Sequence, residues 1–219
     1  MTQMKLLFTN VGRRTYMVEF AREIIKSKIL VSDAESIIPS FYLENVNKYL
    51  IPKIKKNKKK YLQKLLFLVK KLKIKKIIPL SDHDLIALAE NKLKFKKLGC
   101  DVIISGPSFV KMCMNKKQMY FFCKKNKINT PDSFFLKRKK IFNFTLIKKK
   151  ILGSGSSKME EIKNNTKIDK IDFKKFFLQK KIYGTEYGID IFNDPNNNVS
   201  RSCVKKKFLM RAGETEKQI

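Results

Sequence analysis

Short apolar runs alternate with amphipathic segments along residues 5–105, and this alternation restricts the possible folds more than any other feature of the sequence. The runs that predict strands are 5–8, 29–32, 49–51, 76–79 and 101–105, and the segments that predict helices are 16–25, 61–72 and 85–98. Along 61–72 every third or fourth residue is apolar and lysines occupy the other face, so this segment predicts an amphipathic helix. Strands that alternate with helices are typical of a parallel sheet, and we therefore expect an α/β fold here.

The pattern changes from residue 109 onward. One helix is predicted over 109–127, and Thr130-Pro131 would end any continuation of it. Further predicted elements are a short helix or loop at 158–164 and strands at 144–148, 176–181, 187–192 and 200–210. These strands are joined by turn-forming residues, which favours antiparallel α+β structure. We therefore expect two domains, residues 1–108 and residues 109–219.

The net charge of +31 results from 50 basic and 19 acidic residues. Lysine accounts for 44 of the basic residues, and residues 48–76 hold 13 lysines and no acid. Such a segment is typical of a nucleic-acid-binding surface, but a lysine-rich, arginine-poor composition also results from drift in an A+T-rich genome. Arginine, the residue best suited to bidentate contacts with bases, is scarce. We expect a mostly solvated face that binds nucleic acid only weakly and without sequence preference.

Several classes of protein are disfavoured by the sequence. No run approaches the ~20 apolar residues of a membrane span, and we expect no membrane partner. The four cysteines, Cys100, Cys113, Cys123 and Cys203, show no C-x-x-C spacing, and His83 is the single histidine. A zinc site is therefore not expected, and reduced thiols in the cytoplasm are the default.

Two segments of the first half carry residues suited to binding a ligand. The turn at 10–14 contains Gly12 and Arg13, and Asp33 ends the next strand, as the ribose-binding acid of a dinucleotide fold does. Asp82 follows the strand 76–79, at the edge where open α/β sheets bind ligands. The structural alternatives are a simple turn at Gly12 and a helix N-cap at Ser81 or Asp82.

Two further segments lie in the second half. Lysines 148–150 precede a glycine- and serine-rich run at 153–157, where small residues would let backbone N–H groups approach phosphates; a flexible linker is the alternative. The segment 179–186 could present backbone groups to a purine and the Glu186 carboxylate to ribose hydroxyls. For this segment taken alone, a hairpin with a solvated glutamate is the favoured interpretation.

The order of these motifs is more specific than any one of them. Along the chain they run Gly12-Arg-Arg, Asp33, Pro79-Leu-Ser-Asp82, Asn115-Lys116, Thr130-Pro131, Lys149, Gly153-Ser-Gly-Ser, Gln179, Gly184-Thr-Glu186 and Arg211-Ala-Gly-Glu214. This series resembles the ATP-grasp superfamily, and within it the short proteins related to the large subunit of carbamoyl-phosphate synthase. The resemblance implies a pre-ATP-grasp domain over residues 1–108 and the N-terminal part of an ATP-grasp domain over residues 109–219, incomplete at the C-terminus.

The resemblance also implies an ATP site and a substrate side. The ATP-binding residues would be Lys116, Lys149 or its rival Lys148, Gly153, Ser154, Gly155, Ser156, Ser157, Gln179, Lys180, Lys181, Ile182 and Glu186. In the family the lysines contact phosphates, the run 153–157 closes over them, 179–182 borders the adenine, and the glutamate binds the ribose. Arg211 would lie near the reacting phosphate, and the substrate-side candidates are Gly12, Arg13, Asp33 and Asp82.

Family chemistry is ADP-forming ligation, in which ATP phosphorylates a carboxylate and an amine then displaces the phosphate. Mg²⁺ is expected for this reaction, but the family's later metal-binding glutamate and Glu-x-Asn pair have no counterpart in these 219 residues. We therefore expect a truncated or split ligase that is inactive alone and completed by a C-terminal partner polypeptide. The alternatives are a non-catalytic remnant and a nucleic-acid-binding protein that uses the lysines of 48–76.

Overall fold

A computed structural model describes residues 3–25, 27–137, 143–153, 159–163, 165–194, 196–211 and 214–218. The chain divides into two compact units, Met1–Lys111 and Met112–Ile219. No helix in the described ranges is long and apolar enough to cross a lipid bilayer.

The first unit contains the predicted parallel sheet. Its elements are β1 (Lys5–Thr9), α1 (Thr15–Ile24), β2 (Lys28–Asp33), a 3₁₀ turn (Pro39–Phe41), β3 (Asn47–Leu50), α2 (Lys58–Leu72), β4 (Lys76–Pro79), α3 (Leu85–Glu90), α4 (Lys92–Lys97) and β5 (Asp101–Val102). The strands pair in parallel in the order β3-β2-β1-β4-β5, which confirms the α/β prediction.

Helices cover both faces of this sheet. Alternate residues of β1 point to opposite sides: Leu6 and Phe8 pack with Val18 of α1, whereas Leu7 packs in the other core. That other core is formed with α2, α3 and α4, which contribute Tyr61, Leu65, Leu68, Val69, Leu88 and Phe95. The strand order changes direction between β1 and β4, so their carboxyl ends form the topological switch point of the sheet.

Two of the predicted helices differ from the observed ones in their boundaries. The helix α2 begins at Lys58 rather than 61 because the Asn57 side chain accepts a hydrogen bond from the Lys60 backbone N–H at 2.9 Å. The helix predicted over 85–98 is two helices, α3 and α4, which meet at Asn91.

The second unit is antiparallel. After α5 (Pro107–Met114), which spans the division between the units, come α6 (Lys116–Lys125), β6 (Ser133–Phe134), β7 (Leu146–Lys150), β8 (Glu160–Ile162), a 3₁₀ helix (Asn165–Lys170), β9 (Phe176–Lys180), β10 (Tyr187–Asp194), β11 (Val199–Arg211) and β12 (Glu214–Gln218). The strands form two sheets, β6-β9-β7-β8 and β10-β11-β12. The prediction of a helix or loop at 158–164 is wrong, because β8 forms there and pairs with β7. The helix predicted over 109–127 is interrupted at Asn115, which caps α6.

Candidate functional site

A polar cluster on one face of the β6-β9-β7-β8 sheet contains Lys149. The Lys149 Nζ donates to the Gln179 Oε1 at 2.8 Å, and the Gln179 Nε2 donates to the Ser133 Oγ at 3.0 Å. The antiparallel register places Ile147 opposite Gln179 and Lys149 opposite Phe177, so Lys149 and Gln179 extend from the same face. This contact brings together two residues that are 30 positions apart in the chain.

Among the lysines that the structure describes, Lys149 has a pKa that burial shifts downward. Burial lowers the pKa of its ammonium group below the ordinary value of 10.5, because desolvation disfavours the charged form. The negative charge of Glu186 acts in the opposite direction and favours the protonated ammonium. A partly buried ammonium with a polar neighbour and an acid nearby is suited to binding an anionic ligand.

Lys148, the rival of Lys149, lies on the opposite face of the same strand. Its ammonium forms an ion pair with Glu160 of β8 and lies 5.4 Å from the centroid of the Phe176 ring. Adjacent residues on a strand point to opposite sides of the sheet, so the two lysines cannot share one site. The Lys149 side chain lies on the same face as Gln179 and Ser133, and the Lys148 side chain does not.

Lys116 is held at the start of the glycine- and serine-rich run. Its Nζ donates to the Gly153 carbonyl at 2.5 Å, and its backbone N–H donates to the Ile151 carbonyl at 2.9 Å. The Asn115 side chain caps α6 by accepting from the backbone N–H groups of Lys117 and Gln118, and Asn115 forms an isolated bridge with Leu152. Gly153 has a φ of +110°. The other predicted residues of this run lie outside the described residues: Ser154, Gly155, Ser156 and Ser157.

The predicted adenine segment continues from β9. Backbone N–H groups of Lys180 and Lys181 donate to the Asp132 carbonyl at 2.8 Å and the Thr145 carbonyl at 2.9 Å. The Lys181 ammonium pairs with Glu161, which raises the pKa of Lys181 and lowers that of Glu161. Ile182 forms one wall of an open groove of about 610 Å³, whose other walls are Lys124, Lys127, Ile128, Asn129, Thr130 and Pro131.

Glu186 and Arg211 belong to the β10-β11-β12 region. The Glu186 Oε1 lies 2.5 Å from the Lys207 Nζ, and the Lys207 backbone N–H donates to the Glu186 carbonyl at 2.9 Å. Arg211 ends β11, in register with Glu214 of β12. The glutamate side chain is exposed, so a ligand hydroxyl could reach it.

Asp33 holds the β1–α1 turn through backbone hydrogen bonds. One carboxylate oxygen accepts from the Gly12 N–H at 2.9 Å, and the other accepts from the N–H groups of Ala34 at 2.7 Å and Glu35 at 3.1 Å. Gly12 has a φ of +54°, a conformation that glycine adopts without strain, and its carbonyl accepts from the Ser40 Oγ at 2.9 Å. These contacts show that the Asp33 side chain holds the turn together. Arg13 lies exposed in the same turn.

Replacing Asp33 with alanine should therefore reduce stability rather than ligand binding. We expect the free energy of unfolding to fall by about 1–2 kcal/mol, since the partly buried N–H groups of Gly12 and Ala34 lose their acceptor. Urea denaturation would measure this, with Glu35→Ala as the control, because Glu35 is an exposed neighbour that pairs with Lys53 at the surface. Unchanged stability together with weakened nucleotide binding would instead assign Asp33 to a ligand.

The loop after β4 contains a buried acid that sequence reasoning missed. Helix α3 begins after Asp84, so the predicted N-cap at Ser81 or Asp82 is wrong, and Asp82 is exposed. Asp84 is 0% exposed, and its Oδ2 accepts from the Thr9 Oγ1 at 2.7 Å and from the Tyr61 hydroxyl at 2.6 Å. Its Oδ1 has no hydrogen-bond partner among the described residues, and burial raises the pKa of this carboxyl. The cluster lies at the carboxyl end of β1, where Thr9 is the last residue of the strand.

The described residues contain no group of three or more histidine, cysteine, aspartate or glutamate side chains that could hold a metal ion. Three acids of the second unit are each paired with a lysine: Glu160, Glu161 and Glu186.

One family model and several solved structures are similar to this chain. A family model described as "PylC-like, N-terminal domain" matches residues 6–103. No curated protein matches the chain. An L-amino acid ligase from Bacillus licheniformis superposes with a TM-score of 0.71 at 12% identity, over 94% of this chain and 51% of that one.

Two other solved structures are similar to the same extent. A biotin carboxylase from Campylobacter jejuni, crystallised with β,γ-ATP, has a TM-score of 0.72 at 13% identity, over 97% of this chain and 53% of that one. An N5-carboxyaminoimidazole ribonucleotide synthetase from Thermotoga maritima has a TM-score of 0.65 at 14% identity, over 94% and 53%. This chain thus shares the fold of these structures, and it spans about half of their length.

Proposed function

We propose that this protein binds ATP as the N-terminal part of an ATP-grasp carboxylate–amine ligase, of the type related to carbamoyl-phosphate synthase. The observation that carries the proposal is the Lys149 cluster: a partly buried ammonium held by Gln179 across the sheet, with Glu186 close enough to affect its pKa. The fold shared with an L-amino acid ligase and with a biotin carboxylase solved with bound nucleotide supports it.

In this proposal each side chain has a definite role. Lys149 and Lys116 would contact the phosphates as point charges, and the run that starts at Gly153 would bring backbone N–H groups to the same oxygens. Backbone groups of 179–182 would border the adenine, and Glu186 would accept hydrogen bonds from ribose hydroxyls. ATP binding would require Glu186 to exchange part of its contact with Lys207 for the ribose.

The proposed reaction is ligation through an acyl phosphate. A carboxylate oxygen attacks the γ-phosphorus of ATP, ADP leaves, and an amine then displaces phosphate from the acyl carbon. Mg²⁺ neutralises charge on the phosphates in such reactions. Because the chain spans about half of the matching structures, we propose that a further polypeptide segment supplies the metal ligands and the substrate pocket. A protein that binds nucleotide without catalysis is the alternative.

Direct titration of the 219-residue chain with nucleotides tests the proposal. We expect saturable binding of ATP that ADP displaces, and weaker binding of GTP, because the backbone at 179–182 would present its pattern of donors and acceptors to adenine. Isothermal calorimetry in the presence of Mg²⁺ would measure this. Equal affinity for ATP, GTP and inorganic triphosphate would contradict an adenine site, and absence of saturation at millimolar ATP would contradict nucleotide binding itself.

A further inference from the structure

Positive charge is unevenly distributed within the first unit. Residues 1–46 carry six basic and five acidic side chains, whereas residues 47–111 carry 18 basic and four acidic ones. A compositional bias of the genome would act on both segments alike. The contrast therefore points to a property of this particular part of the molecule.

In the folded unit, the two segments place their different charge on opposite faces of the sheet. Helix α1, which lies within 1–46, covers one face of the sheet, and α2, α3 and α4, which lie within 47–111, cover the other. The exposed lysines of α2 and α4 are Lys58, Lys59, Lys60, Lys64, Lys70, Lys71, Lys94, Lys96 and Lys97. One layer of the unit is thus strongly basic, while the layer formed by α1 is close to neutral.

The outer side of α2 bears an aromatic ring among these lysines. Four residues of α2 follow one another at spacings of four, three and four positions, so they form a stripe about 16 Å long on one side of the helix. They are Lys60, Lys64, Phe67 and Lys71. Phe67 is 53% exposed, and the ammonium groups of Lys64 and Lys71 lie 5.5 and 5.7 Å from its ring centroid. No ion pair of the described residues involves these three lysines.

We propose that the stripe Lys60–Lys64–Phe67–Lys71 on α2 binds single-stranded nucleic acid without sequence preference. Lysines contact the phosphates as point charges, and an exposed ring between them offers a stacking surface to a base. A membrane-binding helix would instead present a continuous apolar face, whereas the outward stripe of α2 has one large apolar side chain. Arginine, which reads bases through bidentate contacts, does not occur in α2.

Fluorescence anisotropy with a labelled 20-nucleotide oligouridine tests the charge contribution. Between about 50 and 200 mM salt, we expect the slope of log K against log salt to decrease by about 2 in the triple variant Lys60→Gln, Lys64→Gln, Lys71→Gln. The matched control changes three exposed lysines of the second unit: Lys125→Gln, Lys170→Gln, Lys174→Gln. It removes the same charge and should leave the slope almost unchanged.

The contribution of the ring is tested separately. Phe67→Ala should weaken oligouridine binding about 5- to 100-fold with an unchanged salt slope, because it removes stacking and no charge. Phe20→Ala on α1 is the control, since Phe20 is 64% exposed but lies between Glu19 and Glu23 on the other side of the sheet. Circular dichroism would show whether both variants keep the helical content of the native chain.

Three outcomes would overturn the proposal. Equal loss in both lysine triples would mean that binding follows net charge alone. Equal affinity of Phe67→Ala and the native chain would remove the stacking role. Binding of phosphatidylserine vesicles that depends on Phe67, with no measurable binding of oligouridine, would assign the stripe to a membrane surface.

Discussion

Replacing Asp84 with alanine is expected to lower the free energy of unfolding of the first unit by about 2–4 kcal/mol. The Asp84 carboxylate is the acceptor for two buried hydroxyl groups, those of Thr9 and Tyr61, which come from different elements of the sheet and its helical layer. Without it, both hydroxyls remain buried with no acceptor, and each costs about 1–3 kcal/mol. Hydrogen exchange of the β1 and β4 amides would measure the change within the whole chain.

Asp82→Ala is the matched control for this prediction. Asp82 is an exposed acid two residues away, so its loss should change stability by less than about 0.5 kcal/mol. A loss of similar size in both variants would mean that the loop, rather than the buried network, determines the effect.

The pH dependence of stability provides an independent test of the same group. Burial raises the pKa of Asp84 in the folded state above its ordinary value of 3.8, so the unfolded chain releases this proton first. This carboxyl should therefore destabilise the fold progressively as the pH rises from about 4 through the raised pKa. Asp84→Asn cannot ionise and should lack that component of the pH dependence. A native chain whose pH profile matches that of Asp84→Asn would contradict the raised pKa.

Lys149→Ala should weaken ATP binding roughly 10- to 150-fold and leave adenosine binding nearly unchanged. The estimate corresponds to loss of a hydrogen bond to a charged group, about 1.5–3 kcal/mol. Lys148→Ala is a matched control, because it removes the same charge from the adjacent residue, whose side chain pairs with Glu160 on the other face of the sheet. Calorimetric titration with both ligands measures the difference, and an equal loss of ATP and adenosine would contradict a phosphate contact.

The lowered pKa of Lys149 adds a pH signature to this prediction. ATP affinity should decrease as the pH rises toward 10, before an ordinary lysine would deprotonate, because the neutral amine no longer attracts phosphate. In Glu186→Gln the decrease should begin at lower pH, since the negative charge that raises the Lys149 pKa is gone. Identical pH profiles for the native chain and Glu186→Gln would show that the two side chains do not interact.

The alternation of apolar strands and amphipathic helices was sufficient to predict the sheet of the first unit. Each of these signals is local: the apolar run 5–8 and the stripe along 61–72 depend on neighbours within one element. Helix boundaries were less predictable, because they depend on a single side chain. Asn57 extends α2 by one turn, and the cap at Asn115 separates α6 from α5.

The roles of individual side chains were decided by contacts between distant residues. The sequence favours Lys149 but leaves Lys148 as its rival, and only the pairing of β7 with β8 and β9 places one near Glu160 and the other near Gln179. Asp33 has the position of a ligand-binding acid, yet one oxygen accepts from Gly12, 21 residues earlier, and the other accepts from the backbone that follows it. Asp84 lies in a polar loop, and its buried hydrogen bonds come from Thr9 and Tyr61, which are 75 and 23 residues away.

The sequence by itself therefore determined the type and order of most elements, because strand and helix periodicities are properties of short segments. Tertiary structure alone decided which polar groups are buried and which are accessible to a ligand. The physical reason is that the free energy of a buried charge or hydroxyl depends on the partners that desolvate it and bond to it. In this chain those partners come from strands and helices far apart in the sequence.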